Sequence, residues 1–553
     1  MPSPIRLPLA AFAVLLAMLA HSATAPAAAP GPQQRITATG MLRDIVALAA
    51  DSMGGRGPGT AGDRMARQYL IRRLQAIGFA PGGPGGSWEQ EILLVGLTLP
   101  DVGDWRFTGS GGEAAFRWRE DFVGGSGVQA PHVSIADAEV VFVGYGIQAP
   151  EFQWDDFKGA DLKGKVLLIL NSDPDWDPAL FAGTKRLYYG RWDYKYETAA
   201  RQGAVAAIIL HTTPSAAYGW NVVVRSWAGT QFDVPAAGEA RLQFKSWLTE
   251  PSVRRLCALG GRDLDSLVAA ARRRDFVPVP LGVRTSLAFD VRVETARTAN
   301  VIGVLRGSDP RLREEAVIFS AHHDHLGIGT PDSTGDPIHH GAVDNASGCA
   351  QVLAIGEAFA ATRPAPRRTI VALFPAGEEQ GLLGASYYAE HPTFPLARIA
   401  ADINYDGANV SGRTSDVAVI GRGKSDLEDL LAVAAKGQGR TVVDEPEPDK
   451  GYYYRADELS FARAGVPALY YKSGQTFIDR PPGWGRQKDA DFVRLRYHQP
   501  SDRVLPGWDL SGAVEDTRLG YLVGLAVANS AKLPAWYPGD EFEAARKRAL
   551  EGR

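Results

Sequence analysis

The amino-acid sequence predicts an α/β fold, with a doubly wound and mostly parallel central sheet, helices on both faces, and an inserted β-rich module. Strand-like and helical stretches alternate through the C-terminal half, which is the pattern of a doubly wound sheet. Short β-rich segments interrupt the chain between residues 134 and 285. Helical periodicity precedes both regions, over residues 41–79.

The N-terminal helical region contains a clear amphipathic segment. In TAGDRMARQYLIRRLQAIGF, apolar side chains recur at spacings of three and four and form one stripe: Met65, Tyr69, Leu70, Leu74 and Ile77. Thr60 is placed to cap this helix at its start, and Gly78 is placed to end it. The strand-like segment WEQEILLVGLTL follows from Trp88.

The pattern of the sequence changes near residue 134, where short β-rich segments begin, and this marks the start of the predicted inserted module. The segments AEVVFVGYGI (138–147), KGKVLLIL (163–170) and AAIIL (206–210) are short β-rich runs, and a helical stretch precedes the last of them. We therefore expect residues 134–285 to fold as a module with its own core. Residues 33–133 and 286–540 are then the two parts of one catalytic domain.

The first 25 residues have the character of a secretory signal peptide. Arg6 precedes an apolar run from Leu7 to Ala20, and Ala23 and Ala25 supply the small residues of a cleavage site. The run is short for a bilayer span, and an uncleaved membrane anchor is the alternative interpretation. We expect an exported protein in the periplasm or outside the cell, with no membrane attachment after cleavage.

Composition and charge exclude several classes of function. The 553 residues carry a net charge of −4 without a run of like charges, so neither nucleic acid nor an anionic membrane is an expected partner. A hydrophobic fraction of 45% is typical of a soluble protein with a large core. The two cysteines, Cys257 and Cys349, are expected to be small buried residues, although one disulfide is possible in an exported protein.

Histidines and carboxylates follow three predicted strands of the C-terminal region. His322 and Asp324 come after AVIFSA (316–321), Glu378 and Glu379 come after RTIVALFPA (368–376), and Asp406 ends IAADINYD. Ligands of doubly wound sheets bind beyond the carboxyl ends of the strands, so these side chains are expected at one edge. Histidine and carboxylate ligands without thiolates are typical of a catalytic zinc site.

Five motifs carry a family resemblance. In chain order they are AHHDHLG, GAVDNASG, AGEEQGLLGA, INYDG and RYHQPSD. Together they resemble the di-zinc exopeptidases of metallopeptidase family twenty-eight, which include bacterial zinc aminopeptidases and glutamate carboxypeptidase. The resemblance covers about residues 285–540 and the N-terminal segment GRGPGTAGDRMARQYL. The inserted module resembles a protease-associated domain.

The resemblance implies a site for two zinc ions per chain. His322 and Asp406 match the ligands of one ion, and Glu379 and His498 match the ligands of the other. Asp344 matches the carboxylate that bridges the two ions, as two-metal hydrolases require.

The resemblance also implies three catalytic roles. Glu378 matches the general base, Asp324 the carboxylate that orients His322, and Tyr497 a side chain that stabilises the oxyanion. His323 occupies a position where the family often has another aromatic residue. His325, His339 and His340 match no required ligand and are interpreted as loop or supporting residues.

The predicted function is that of a zinc aminopeptidase acting on peptide substrates. A carboxypeptidase or dipeptidase on the same fold is the first alternative, because the groups that hold the free amine or carboxylate of the substrate are not assigned. Many members of the family have Ser-Asp-His where this chain has Ala456, Asp457 and Glu458, which leaves specificity open. Glutaminyl cyclisation and a non-catalytic receptor or scaffold are further alternatives, and both are opposed by the complete ligand set.

Overall fold

The computed structural model describes residues 31–100, 102–178, 180–227 and 229–551. The predicted signal peptide, residues 1–25, lies outside the described residues. Among the helices of the described part, none is both long and apolar enough to cross a bilayer.

The described residues form twenty strands, which are numbered in chain order. They are β1 (Ala80–Pro81), β2 (Glu89–Thr98), β3 (Trp105–Gly109), β4 (Gly112–Phe116), β5 (Phe122–Ser126), β6 (His132–Phe142), β7 (Gln148–Ala149), β8 (Trp154–Asp155), β9 (Val166–Leu170), β10 (Ala206–His211), β11 (Gln231–Asp233), β12 (Phe244–Thr249), β13 (Val279–Asp290), β14 (Arg292–Leu305), β15 (Ala316–Ser320), β16 (Thr369–Phe374), β17 (Ile399–Asn404), β18 (Asp416–Val419), β19 (Thr441–Asp444) and β20 (Ala468–Ser473).

The described residues also form fourteen α-helices. They are α1 (Ala38–Leu48), α2 (Ala61–Ile77), α3 (Trp192–Arg201), α4 (Thr213–Ala216), α5 (Trp220–Trp227), α6 (Glu250–Leu259), α7 (Leu264–Ala271), α8 (Gly348–Ala361), α9 (Leu383–Glu390), α10 (Leu427–Gly437), α11 (Glu458–Arg463), α12 (Trp484–Leu495), α13 (Ser511–Asn529) and α14 (Glu543–Glu551).

The first sheet carries the predicted site and confirms the α/β prediction. Its strand order is β11-β2-β14-β16-β15-β17-β20-β18-β19, with β1 added beside β14. Only its centre, β16-β15-β17-β20, and the pair β18-β19 are parallel. The sheet is therefore mixed rather than mostly parallel, because the N-terminal strand β2 and the long strand β14 join it in antiparallel pairing.

Helices cover both faces of the first sheet. Helices α1, α2, α8, α10 and α13 pack on one face in a core that includes Phe319, Leu353 and Val527. Helices α9 and α11 pack on the other face with Tyr388 and Phe461. Since both faces are covered, the central strands are buried and read as continuous apolar runs.

The second sheet has the order β4-β3-β13-β6-β9-β10-β12-β5 and its own apolar cores on both faces. It starts at Trp105 and ends at Asp290, so it is larger than the predicted module of residues 134–285. One segment within those limits, β11, instead pairs with β2 at the edge of the first sheet. The likeness of this region to a protease-associated domain stays a prediction.

Helix α2 follows its predicted limits closely. The Thr60 hydroxyl accepts the backbone N–H of Asp63, and Gly78 ends the helix in the left-handed conformation with φ 104°. Leu70 and Leu74 are buried as predicted, whereas Met65, at 38% exposure, faces solvent. The stripe is therefore narrower than the periodicity indicates. Cys257 and Cys349 are buried and unpaired, as expected.

Asp156 is a buried carboxylate of the second-sheet region, between β8 and β9. Its side chain accepts the backbone N–H of Ile147 at 3.0 Å. Burial raises the pKa of Asp156 to about 7, although that hydrogen bond and the more distant charges of Lys195 and Lys158 lower it. A raised pKa in the folded state means that the folded protein binds this proton more tightly than the unfolded chain does.

We predict that Asp156→Asn reduces the loss of stability on raising the pH. The contribution of Asp156 is complete below the unfolded pKa near 4 and is lost as the pH rises toward about 7, and one pKa unit is about 1.4 kcal/mol. Urea unfolding at pH 5 and pH 7.5 is therefore expected to differ by about 2 kcal/mol less in the variant. Exposed Asp161, which also accepts a backbone N–H, provides the control Asp161→Asn. An unchanged difference for Asp156→Asn contradicts the prediction.

Candidate metal centre and active site

The first of two side-chain clusters lies beyond the carboxyl ends of β15 and β17. His322 Nε2 is 3.3 Å from Asp344 Oδ1 and 3.6 Å from Asp406 Oδ1. Potential ligand atoms of these three residues all lie within 4.8 Å of one another. Burial lowers the pKa of His322, but the charge of Glu378 and of the surrounding aspartates raises it well above its ordinary value.

The second cluster shares Asp344 with the first. His498 Nε2 is 2.9 Å from Glu379 Oε2 and 3.6 Å from Asp344 Oδ2. His325 also reaches this cluster, since its Nδ1 is 2.5 Å from Glu379 Oε1. The structure thus brings all five predicted ligands together, and it adds His325, which sequence reasoning interpreted as a loop or supporting residue.

The segment that carries Asp344, in the second motif, is held by a buried aspartate. Asp502 accepts the backbone N–H groups of Val343 and Asp344 at 3.0–3.2 Å, just ahead of helix α8. The Asp344–Asn345 peptide bond is cis. His498 has φ 56°, a left-handed conformation that is costly for a residue with a Cβ and that occurs preferentially at functional sites.

The adjacent glutamates have opposite electrostatic environments. Burial raises the pKa of Glu378 well above its ordinary value, and the charges of Glu379, Asp406 and Asp457 raise it further, although His322 opposes them. Burial also acts to raise the pKa of Glu379, but His498 and His325 hold it well below its ordinary value. Glu379 is therefore an ionised ligand-type carboxylate, whereas Glu378 is suited to carry a proton.

Asp324 fixes the loop that carries both glutamates. Its carboxylate accepts the backbone N–H of Glu378 at 3.1 Å and that of Glu379 at 3.4 Å. His322 Nδ1 lies 3.2 Å from the backbone carbonyl of Asp324 and 3.7 Å from its carboxylate. Asp324 thus lies between His322 and the glutamate pair and contacts both.

Tyr497, Glu378 and the carboxylates of the two clusters, Asp344, Glu379 and Asp406, line one cavity of about 300 Å³. The Tyr497 ring stacks on the His498 imidazole with centroids 4.0 Å apart. Burial raises the pKa of Tyr497 well above its ordinary value, although Arg455 opposes this, so the phenol keeps its proton and can donate it in a hydrogen bond.

Arg56, from the segment between α1 and α2, holds the histidine loop. Its buried guanidinium donates to four backbone carbonyls, those of Leu48, His323, His340 and Gly341, at 2.7–2.9 Å. All four acceptors are neutral carbonyl groups rather than carboxylates, so the arginine acts here as a hydrogen-bond donor to both ends of the loop. The motif GRGPGTAGDR contains this residue, but its spacing alone does not reveal which carbonyls it meets.

The other histidines of the loop are supporting residues. His323 Nε2 lies 3.1 Å from Asp63 Oδ1, and His340 Nε2 lies 3.0 Å from Asp336 Oδ2. Burial and the charges of the neighbouring histidines together lower the pKa of His339 to about 4. His339 is therefore neutral at pH 7.

The region between the two parts of the first sheet also contributes to the site. Ser226 on α5 is 3.0 Å from His498 Nδ1, the nitrogen that faces away from the clusters. Tyr218, which precedes α5, lines the cavity. The backbone N–H of Phe232 on β11 donates to the Gln380 side chain, next to the glutamate pair. Sequence reasoning missed these contacts, because no ligand-type residue of this region marked them.

The donor set of the two clusters fits zinc. Ligands held at about 2.0–2.1 Å around a tetrahedral ion lie about 3.3 Å from one another, close to the separations around His322 and Glu379. Nε2 of His322 and Nε2 of His325 are buried and have no hydrogen-bond partner among the described residues. Buried polar atoms without partners are costly unless another group, such as a metal ion, satisfies them.

Comparison with known families decides the class of the domain, since residues 300–521 match Peptidase family M28. The chain contains a peptidase M28 domain. An aminopeptidase from Aneurinibacillus sp. strain AM-1 has a similar fold, with a TM-score of 0.53 over 91% of this chain and 96% of that chain. The two sequences are 19% identical, so the likeness concerns the fold alone.

Two curated relatives match shorter parts of this chain. A vacuolar membrane protease of Verticillium alfalfae is 34% identical over 97 residues, which are 18% of this chain and 8% of that protein. A probable zinc metalloprotease of Leptosphaeria maculans is 30% identical over 158 residues, which are 28% of this chain and 32% of that protein. The matches thus span less than a third of the length of either relative.

The prediction of a periplasmic or extracellular location is wrong on this comparison. Fungal relatives carry the name vacuolar membrane protease, which associates them with the membrane of a vacuole rather than with export. The apolar run at residues 7–20 fits a signal peptide by its length and flanking residues, but these features do not specify the compartment.

We predict that Arg56→Lys destabilises the fold and weakens metal binding. An ammonium group cannot satisfy all four carbonyls, and each buried acceptor left without a donor costs about 1–3 kcal/mol. The free energy of unfolding is expected to fall by about 2–4 kcal/mol, and zinc affinity about 10-fold or more. Urea unfolding and competition with a zinc chelator measure both. The half-exposed Arg43 provides the control Arg43→Lys, and equal effects in both variants contradict the prediction.

Proposed function

We propose that the chain is a zinc-dependent metallopeptidase that binds two zinc ions and removes N-terminal residues from peptides. The observation that carries the proposal is the pair of buried clusters that share Asp344. One shared carboxylate between two sets of nitrogen and oxygen donors is the arrangement that a two-metal hydrolase needs. The M28 match over residues 300–521 supports the same class.

Each predicted ligand has a place in this arrangement. His322 and Asp406 would hold one zinc ion, Glu379 and His498 the other, and Asp344 would bridge them. His325 Nδ1 contacts Glu379 and its Nε2 is unpartnered, so it is a candidate additional ligand or a partner that fixes Glu379. Zinc bound here would lower the pKa of water toward neutrality and polarise the scissile carbonyl.

Glu378 is proposed as the general base and acid. Its Oε2 lies 3.8 Å from His322 Nε2, at the edge of the first cluster rather than between the donors of the second. The raised pKa of Glu378, caused first by burial and then by the surrounding carboxylates, suits a group that takes a proton from water and returns it to the leaving amine.

Tyr497 and Asp324 are proposed in supporting roles of the chemistry. The protonated Tyr497 phenol, held against the His498 ring, is placed to donate a hydrogen bond to the oxygen that develops negative charge. Asp324 holds the backbone of both glutamates and thereby keeps base and ligand at a fixed separation. Ser226 would orient His498 through the opposite ring nitrogen.

The alternatives differ in what they require of the site. A glutaminyl cyclase typically uses one zinc ion, and a scaffold protein needs no ligands, so two complete clusters with a protonatable Glu378 oppose both. A carboxypeptidase or dipeptidase uses the same clusters and differs only in the groups that hold the ends of the substrate.

We predict that the purified chain binds about two zinc ions and hydrolyses unblocked amino-acid anilides. Elemental analysis gives the metal content, and anilides are compared with N-acetylated and C-amidated peptides. An aminopeptidase is expected to cleave free-amine substrates and to reject their N-acetylated forms. One zinc ion at saturation would favour the cyclase, cleavage of N-acetylated peptides the carboxypeptidase, and a folded protein without metal or activity the scaffold.

We predict that substitution of the two adjacent glutamates has different effects on metal content and turnover. Glu378→Gln removes the proton acceptor but keeps shape, so the variant is expected to retain both zinc ions while turnover falls about 10²–10⁴-fold. Glu379→Gln is expected to weaken one metal site, because a neutral amide is a poorer zinc ligand than a carboxylate. Each variant is the control of the other, with metal content and turnover measured at increasing zinc concentration. Restoration of Glu378→Gln activity by zinc would mean that base and ligand are exchanged.

A further inference from the structure

Two basic side chains line the cavity next to the clusters without a carboxylate partner. Arg455 and Lys472 both belong to the lining of the cavity. Among the described residues, neither has a carboxylate within ion-pair distance, whereas nearby Arg440 pairs with Asp516 at 2.7 Å. A cation left without an ion pair inside a cavity favours an anionic ligand there.

The neighbours of these two cations are tyrosine rings. The Arg455 guanidinium lies 5.2 Å from the Tyr452 ring centroid and 5.3 Å from that of Tyr218. Lys472 Nζ lies 6.0 Å from the same Tyr452 ring and 5.1 Å from that of Tyr470. Both cations therefore flank Tyr452 in cation–π contacts. Arg455 also interacts with the Tyr497 side chain, but a guanidinium has five N–H donors, so others remain for a further acceptor.

Each cation is one aromatic side chain away from a proposed zinc ligand. On one side, Arg455 neighbours Tyr497, whose ring stacks on His498. On the other side, Lys472 lies by the Tyr470 ring, and the Tyr470 hydroxyl donates to the backbone carbonyl of Asp406 at 3.1 Å. Arg455 is thus connected to the second cluster through Tyr497, and Lys472 to the first cluster through Tyr470.

No carboxylate of the described cavity lining forms an ion pair with either cation, although the charge of Lys472 acts on Asp406 and Asp489 at longer range. Glu447 and Asp489 also line the cavity, and neither lies within ion-pair distance of Arg455 or Lys472. Asp489 instead accepts a hydrogen bond from Gln475 at 2.7 Å. Lys488, the third basic residue of the lining, lies over the Trp484 ring at 5.1 Å.

We propose that Arg455 and Lys472 form a carboxylate-binding subsite, and that the substrates are short peptides with a carboxylate next to the scissile bond. The carboxylate is the C-terminus of a dipeptide or an acidic side chain of the residue after the bond. In either case the carboxylate belongs to the residue that follows the scissile bond, whose Cα atom is about 3.8 Å from that of the residue before the bond. A guanidinium binds a carboxylate through two parallel hydrogen bonds, and the ammonium adds charge.

This proposal rests on the proposed peptidase function and adds to it a substrate class. A subsite of this kind would make the free carboxylate part of recognition and would favour cleavage of dipeptides or of bonds that precede an acidic residue.

The test compares four substrates that differ by single charges. The zinc-loaded full chain is assayed with Leu-Gly, Leu-Gly-NH₂, Leu-Glu-NH₂ and Leu-Gln-NH₂. The wild-type protein is expected to prefer the charged member of at least one pair about tenfold or more in kcat/KM, as hydrogen bonds to charged groups allow. Preference within the glycine pair indicates the C-terminal carboxylate, and preference within the Glu/Gln pair indicates the acidic side chain.

The variants Arg455→Gln and Lys472→Gln locate the preference. Each is expected to reduce the preference for the charged substrate about threefold or more, mainly through the KM of that substrate. Arg455→Lys, which keeps the charge but loses the planar donor pair, is expected to retain part of the preference. Exposed Arg262→Gln is the matched control for removal of a cation. Melting temperature and zinc content check that each variant is folded.

Binding separates failure of the subsite from failure of the peptidase function. Calorimetry with Leu-Gly and Leu-Gly-NH₂ is carried out on zinc-loaded Glu378→Gln, with and without Arg455→Gln. Charge-dependent binding that needs Arg455, without hydrolysis by the wild type, would keep the subsite and reject the peptidase. Hydrolysis of all four substrates without charge preference, or a preference that survives both Gln variants, would overturn the subsite and keep the peptidase.

Discussion

The candidate site depends on the buried Arg56 guanidinium. The ligand His322 and the contact residue His325 lie on a loop that has no regular structure of its own, and its backbone carbonyls would otherwise lack donors. Arg56 satisfies carbonyls at both ends of that loop and one at the end of α1, so a residue from the N-terminal segment sets the position of a site built by the C-terminal half. An arginine suits this role because its five donors lie in one rigid plane. The N-terminal segment therefore takes a direct part in positioning the candidate site.

The second-sheet region is joined to the site as closely as the N-terminal segment is. Ser226 contacts the imidazole of His498, and Phe232 contacts Gln380 beside the two glutamates. The backbone N–H of Arg186 donates to the carbonyl of Pro448, across the interface between the two sheets' regions. Since these contacts reach His498 and the loop that carries Glu379, the region can influence the geometry of the second proposed zinc site directly. The sequence does not reveal this, because the region contains none of the proposed ligands.

Local patterns in the sequence were sufficient for the α/β class, and the family resemblance supplied the five proposed ligands, which the structure brings close together. The strands β15, β16 and β17 are buried on both faces and read as apolar runs, so the residues at their ends could be recognised as neighbours. The mixed pairing of the sheet could not be predicted, because β2 and β14 meet only after the chain has passed through the second sheet. Long-range contacts account equally for what was missed at the site. Arg56 donates to backbone carbonyls, which every residue has, so the sequence does not show its partners. His325 is one of several histidines in the loop, and only the structure shows that it contacts Glu379.

The place where the chain leaves and re-enters the first sheet has a consequence for how the protein folds. Thr98 at the end of β2 pairs with Arg292 at the start of β14, across a separation of 194 residues. Closing so long a loop in an unfolded chain carries an entropic cost, although this cost rises only with the logarithm of loop length. A second-sheet region that folds first replaces the flexible loop with a compact body and brings the two ends close together. During synthesis, α1 and α2 can complete their packing only after α8, which they contact, has been synthesised. The N-terminal helices are thus synthesised early, but their core forms late.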